Sequence, residues 1–326
     1  MNILVLTGGE SPERDVSLRS GVAAARAFIE NGHRVALIDT VRPICERKPL
    51  YFDSISELES AFTESLKSEP LYPLHPDIIN VCKSADKIFP ALHGGIGENG
   101  ILQAALECFG ISYCGSNTEG CALAMDKIKT KIIYGESGIL TPNFTFYEKG
   151  SARKPIPPCY PCVVKPADTG SSIGISFVFS PASLNGAVKN ALAHCDKVIF
   201  EERIVGREFS VSVLGNEPLA VTEIIPHNSF YDYESKYKNG GAREITPAPL
   251  DSNLYKKALN IAKKAHKALG LNNFSRTDLI LKSGTSMLYA LETNALPGLT
   301  ETSILPQAAL SKGISFNQMC EIMLFG

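Results

Sequence analysis

The 326-residue chain predicts an α/β fold in which an N-terminal parallel-sheet lobe precedes two further lobes. Three observations carry this reading. The first third alternates short apolar runs with helical stretches and glycine turns, the pattern of a parallel sheet with right-handed crossovers. The length exceeds what one ordinary core fills. Composition also shifts near Gly115 and near Arg203 with no low-complexity linker, so the lobes should pack together. The boundaries read as 1–115, 116–203 and 204–326.

The elements follow in order. Ile3–Leu6 is an apolar strand, Thr7-Gly8-Gly9 a turn, and Ser17–Asn31 an alanine-rich helix stopped by Gly32. Arg34–Asp39 and Lys87–Leu92 give the next strands. A helix over Ala122–Ser137 opens the second regime, followed by strands at Phe144–Phe146 and Cys162–Lys165. The loop ADTGSSIGIS leads to Ser176–Phe179, Pro181 opens a helix through His194, and Lys197–Glu202 is a strand. Strands at Arg207–Leu214 and Leu219–Ile225 precede a polar stretch over 226–248. A helix over Asn253–Leu269, a hairpin turning at Lys282-Ser283-Gly284 and two short helices complete the chain.

The net charge of −2 argues against a nucleic-acid binder, which needs a basic surface to displace counterions. No apolar run approaches the length of a bilayer span, and MNILVLTGGE reads as a buried strand instead of a signal peptide. A cytoplasmic protein is the expectation. The nine cysteines show one CxxC, Cys159 to Cys162, without a second pair or histidine partner, so reduced structural thiols are the reading.

Five patterns can carry chemistry. Asp278 lies in FSRTDLIL, and Glu292 and Asn294 in YALETNALPG. Residues two apart in a strand share a face, and the KSGT turn can bring Asp278 beside the other two. An all-oxygen site suited to Mg²⁺ with substrate phosphates and an exposed acidic hairpin face are both compatible with that spacing. Lys165 ends a strand before a Gly/Ser loop that can close over phosphates, or is simply a turn. HGGIGENG at 93–100 opens a helix, and its glycines serve either a tight turn or an anionic ligand. In GGESPERDVSLRSG, Ser11, Glu13, Arg14 and Asp15 should face the carboxyl edge of the sheet, as ligands or as helix caps. FYDYESKYKNG, rich in tyrosine and lysine, reads as a lid or a surface loop.

Taken in order, GGESPERDVS, HGGIGENG, MDKIKTK, VVKPADTGSSIG, EERIVGREFSV, FYDYESKY, SRTDLIL and ETNALPGLTETS resemble the D-alanine–D-alanine ligase branch of the ATP-grasp superfamily over nearly the whole chain. The resemblance implies a parallel lobe followed by a two-lobed ATP-grasp unit, ATP and D-alanine as substrates, two Mg²⁺ ions with Mn²⁺ as a substitute, and a homodimer. It implies that Lys127, Lys165 and the lid residue Lys236 contact phosphates, that Glu201, Glu202 and Ile204 flank adenine, and that Glu208 binds ribose. It makes Asp278, Glu292 and Asn294 the metal ligands, and Arg276 with the Gly298 N–H the oxyanion stabilisers. It assigns the first substrate's ammonium to Asp15, in place of a more usual glutamate, with Ser171 and Tyr237 as companions. His93 would face the same subsite, and Ser303 the second substrate's carboxylate. Asn99 stands where aspartate is usual, and SRTD replaces a GRxD-like context. The rival readings are a ligase using D-serine or D-lactate second, and a non-catalytic nucleotide-binding protein on the same fold.

Overall fold

The computed structural model describes residues 1–42, 50–67, 73–152, 154–226 and 242–326. The chain begins with β1 (Asn2–Thr7), which pairs in parallel with β2 (Arg34–Asp39) and β3 (Lys87–Pro90) in the order β2-β1-β3. Four consecutive residues of β1, Ile3 to Leu6, are fully buried, because helices cover both faces of the sheet. Helix α1 (Arg14–Glu30) lies on one face through Ala24, Ala27 and Phe28. The other face is covered by α3 (Ile78–Cys82) and α5 (Ile101–Cys108), with α2 (Ile55–Ser65) flanking β2 and α4 (Gly95–Glu98) preceding α5.

The chain then forms two helices, α6 (Thr118–Met125) and α7 (Lys127–Glu136), where the sequence predicts one. The break is at Asp126, whose backbone is extended and whose carboxylate accepts from the N–H groups of Ile128 and Lys129. An aspartate capping two orphan donors competes with helix continuation. A four-stranded antiparallel sheet follows, ordered β4-β7-β5-β6, from β4 (Phe144–Glu148), β5 (Cys162–Pro166), β6 (Ser176–Val178) and β7 (Lys197–Glu202). Helix α8 (Leu184–Ala191) packs on it through Ala187, Val188 and Ala191. The helix predicted to reach His194 ends at Ala191.

The largest sheet, antiparallel and ordered β10-β9-β8-β11-β12, comprises β8 (Gly206–Leu214), β9 (Glu217–Pro226), β10 (Ala242–Ile245), β11 (Phe274–Lys282) and β12 (Leu288–Asn294). Helix α9 (Ser252–Ala268), capped by Asp251, buries Ala258, Ala262 and Ala265 on one face of it. Cys121, Ala124 and Tyr134 of α6 and α7 share that core with Val211 and Leu279. Helices α10 (Ile304–Leu310) and α11 (Phe316–Phe325) return to the first lobe, where Met319, Met323 and Leu324 bury beside Ile3, Val5 and Phe28. The Asn317 side chain donates to Glu30 at 2.8 Å and the Asn31 side chain to the Asn317 carbonyl at 3.1 Å, which fixes α11 along α1.

Candidate active site

The sheets and helices leave two clefts that meet at the β11–β12 hairpin. Glu13, His93, Ser171, Arg276, Gly298 and Ser303 line the first, and Lys165, Glu201, Glu202, Ile204 and Glu208 line the second. Asp278 and Glu292 border both.

The start of α1 fixes which acid enters the first cleft. Ser17 is fully buried, accepts from the Gly8 N–H and donates to the Ala91 carbonyl, both at 2.8 Å. Arg14 turns to the buried Asp39 at the end of β2 and to the Gly9 carbonyl. With those two anchored, Asp15 is exposed on the outer side of the first turn, and Glu13, two residues earlier and about 200° around the helix, faces the cleft. The structure thus brings Glu13, and not the Asp15 expected there, to this cleft. The Glu13 carboxylate accepts a hydrogen bond from Ser171. A Cβ at Gly94 would come within 2.7 Å of Glu13 Oε2, and one at Gly170 within 2.8 Å. The glycines of HGGIGENG and ADTGSSIG thus leave room for this side chain, and Gly94 also adopts φ +66°, where glycine is favoured.

His93 and Glu98 sit behind Glu13. The His93 ring faces Ser20 Oγ through Nε2 at 2.9 Å and the Leu296 carbonyl through Nδ1 at 3.0 Å. Both nitrogens are therefore engaged by the protein, a different task from the substrate contact expected of this residue. Burial lowers its pKa, with nearby Glu13 opposing that shift. Glu98, which sequence reasoning passed over, accepts from the Gly94 N–H and the Leu296 N–H, both at 2.9 Å. Burial and then the neighbouring Glu13 push its pKa up to about 7. Asn99 accepts from the Ile101 N–H, the first of α5, at 3.1 Å.

The hairpin delivers the acidic constellation. Asp278 pairs with Glu292 across β11 and β12, and Arg276 with Asn294. Arg276 grips Asp278 at two points, 3.0 Å from Nε to Oδ1 and 2.9 Å from Nη2 to Oδ2. Ser210 donates to Asp278 at 2.6 Å from β8, and the Asn294 amide approaches it at 3.4 Å. Two carboxylates and an amide oxygen are hard donors that suit a small divalent cation. Among the described residues no group of three His, Cys, Asp or Glu side chains is placed to hold a metal. A cation here would draw its remaining ligands from a bound phosphate chain and water, as magnesium sites at nucleotides commonly do.

Lysines surround this junction. Lys127 Nζ lies 3.7 Å from Glu292 and donates to the Thr169 carbonyl at 2.8 Å. Lys165 pairs with Glu201 at 3.0 Å, and Glu201 also pairs with the fully buried Lys131 at 3.0 Å. Burial depresses the Lys131 amine to about 8, while Glu201 pulls the other way. Burial opposes the charge on Lys165 too, yet Glu201 and Glu292 more than offset it and raise its pKa. For Glu201 burial acts upward, and the two lysines bring the carboxyl below its ordinary value. The Glu201 side chain is thus turned to the lysines behind β7. Glu202 accepts from Asn143 at 3.0 Å. Lys131 escaped the sequence reading because a lysine in a helix is usually a solvated face. Ser171 and Ser172 adopt φ of 54° and 60°, so the Gly/Ser loop turns sharply between the two clefts. Ser303 starts α10, with its oxygen 2.7 Å from Thr300 Oγ1. Lys236 and Tyr237 lie outside the described residues.

Residues 2–116 match the family described as D-ala D-ala ligase N-terminus, and residues 152–325 that described as D-ala D-ala ligase C-terminus. The chain belongs to the D-alanine–D-alanine ligase family. A family relative from Syntrophotalea carbinolica, named D-alanine–D-alanine ligase, is 37% identical over 324 residues, covering 99% of this chain and 95% of its own. One of the same name from Carboxydothermus hydrogenoformans is 38% identical over 335 residues, with 99% and 97% covered. Among solved structures, the Bacillus anthracis D-alanine–D-alanine ligase complexed with ATP superposes with a TM-score of 0.77 at 25% identity, covering 99% of this chain and 96% of that one. The Enterococcus faecalis VanG D-Ala:D-Ser ligase superposes with a TM-score of 0.78 at 27% identity, covering 99% and 98%. The fold is that of the ATP-grasp ligases, with the two antiparallel sheets enclosing the second cleft.

Proposed function

We propose that this chain uses ATP to join two D-alanine molecules into D-alanyl-D-alanine for peptidoglycan precursors. The observation that carries it is the Asp278–Glu292 pair bordering both clefts, because phosphoryl transfer needs the carboxylate substrate and the nucleotide's γ-phosphate at one metal-binding seam. The second cleft takes ATP, with Glu201 to Ile204 beside adenine, Glu208 at the ribose, and Lys165 and Lys127 towards the phosphates. Asp278, Glu292 and Asn294 would hold Mg²⁺, which when bound would neutralise phosphate oxygens as charge redistributes.

In the first cleft Glu13 pairs with the ammonium of the first D-alanine and Ser171 orients Glu13. The substrate carboxylate attacks the γ-phosphate, giving an acyl phosphate and ADP. The deprotonated amine of the second D-alanine then attacks the acyl carbon, and inorganic phosphate leaves with the electrons of the broken C–O bond. The tetrahedral oxygen carries negative charge between these events. Arg276, held in plane by Asp278, and the Gly298 N–H stabilise it. Ser303 receives the carboxylate of the second substrate. Lys236 and Tyr237 complete this reading from the lid, and a cytoplasmic homodimer is its setting. Among the described residues no helix is long and apolar enough to cross a membrane.

The test supplies ATP and Mg²⁺ with D-alanine alone, then with D-alanine plus D-serine or D-lactate, and weighs the products by mass spectrometry. D-alanyl-D-alanine with stoichiometric ADP is the expected outcome. ADP formation requiring D-serine or D-lactate would reassign the second subsite, and ATP binding without D-alanine-dependent ADP would make the chain a binding protein.

A further inference from the structure

The segment Leu296-Pro297-Gly298-Leu299 links β12 to α10, and its N–H groups can be accounted for one by one. The Leu296 N–H goes to Glu98 Oε1 at 2.9 Å and the Leu296 carbonyl to His93 Nδ1 at 3.0 Å. Pro297 has no N–H. The Leu299 N–H goes to Ser20 Oγ at 3.2 Å, and that oxygen lies 2.9 Å from His93 Nε2. Among the described residues, only the Gly298 N–H of this segment has no acceptor.

The proton positions follow from those partners. A carbonyl only accepts, so His93 Nδ1 carries the hydrogen. In the neutral ring Nε2 then accepts, so the Ser20 hydroxyl donates to it while its oxygen accepts from Leu299. Every group in the chain Leu299–Ser20–His93–Leu296 has one consistent role. Burial lowers the pKa of His93 and so favours this neutral state. Ser20 is fully buried on α1, His93 lies in the turn after β3, and Glu98 is the last residue of α4. All three thus reach from the first lobe to a segment that follows the largest sheet.

We propose that Ser20, His93 and Glu98 are positioning residues that hold both ends of the Leu296–Leu299 segment, so that the one uncommitted N–H, at Gly298, is held in place at the substrate cleft it lines. This rests on the reading that Gly298 stabilises the tetrahedral oxyanion. It changes the task of His93 from contacting substrate to holding the donor in place. The clamp acts on the second half-reaction, where that oxygen's charge develops, and not on nucleotide binding.

The test compares the wild type with Ser20→Ala, Ser20→Thr and His93→Asn, the last keeping a donor near the Nδ1 position. For each, kcat, the KM values for ATP and D-alanine, and the affinity for a phosphinate analogue of D-alanyl-D-alanine in the presence of ATP are measured. Ser20→Ala should lower kcat and phosphinate affinity together by about tenfold, with KM for ATP unchanged, and Ser20→Thr should restore both. His93→Asn should fall between them. A fall in kcat with phosphinate affinity intact, or wild-type kinetics in Ser20→Ala, overturns the clamp. A wild type that binds the phosphinate no more tightly than D-alanyl-D-alanine overturns the oxyanion reading of Gly298 instead. Should Ser20→Ala fail to fold, Ser20→Thr and His93→Asn decide by the same two readouts.

Discussion

The Glu13 carboxylate accepts a hydrogen bond from the Ser171 hydroxyl, joining residues 158 positions apart. One stands at the mouth of the first helix and the other on the Gly/Ser loop between the two clefts. Under the proposed reaction Glu13 is the counter-ion of the first substrate's ammonium. Glu13→Gln should therefore raise the KM for D-alanine at the first site by roughly thirtyfold, the equivalent of about 2 kcal/mol for a charge-assisted contact. Asp15→Asn, on the outer face of the same turn, should stay within about 0.5 kcal/mol of the wild type. Initial-rate kinetics over D-alanine concentration separate the two, and a larger effect at Asp15 would reverse the assignment.

Glu292→Gln removes one of two carboxylates from the seam between the clefts. The variant should lose at least about 100-fold in kcat, close to 3 kcal/mol of transition-state stabilisation, and need more Mg²⁺ for half-maximal rate. ADP release measured across a magnesium titration reads both quantities. A variant with wild-type turnover would remove Glu292 from the metal site.

Lys131→Met strips Glu201 of one of its two buried cations. Taking one partner from a buried ionic cluster leaves charge uncompensated and should destabilise the protein by about 3 kcal/mol. Urea denaturation gives the value directly. In the double variant with Glu201→Gln the loss should be smaller than the sum of the single losses, since the carboxylate that suffers has gone.

His266 is a pH-sensitive element of the fold. Its ring lies 2.7 Å from Ser275 Oγ and 3.0 Å from Asn216 Oδ1, and burial lowers its pKa to about 4. Between that value and the ordinary histidine pKa of about 6.5, the unfolded chain binds a proton that the folded chain does not. Stability from this site is therefore present above about pH 6.5 and lost as the pH falls towards 4, by up to about 3 kcal/mol. His266→Gln should flatten chemical-denaturation stability across that window, and an unchanged slope would place the acid sensitivity elsewhere.

The hairpin was legible in the sequence because strand periodicity is short and local. The KSGT turn could bring Asp278 near Glu292, but unbroken alternation would set it opposite Leu291; the register shift between Asp278 and Leu279, which no local pattern announces, pairs it with Glu292. The phase of α1 was not legible in the same way. Whether Glu13 or Asp15 faces inward depends on how Arg14 and Ser17 are anchored, by Asp39 on β2 and by Ala91 beyond β3. Lys131 was hidden for a related reason, since its counter-charge, Glu201, is 70 positions away. The Asp126 break was available as a capping residue inside an apparently continuous helix. Leucine 296 shows the other limit: a backbone group has no side-chain signature, so nothing in ETNALPGL announces which of its amides are committed.

The packing of α11 on α1 and β1 bears on how the chain is made. Ile3, Val5 and Phe28 are translated some 300 positions before the residues that pack beside them, Met319, Met323 and Leu324. The parallel sheet and α1 can form early, but throughout synthesis the part of this core that α11 covers stays exposed and adhesive. Its completion waits on α11. Chaperone occupancy of nascent chains should therefore persist there until α11 is released.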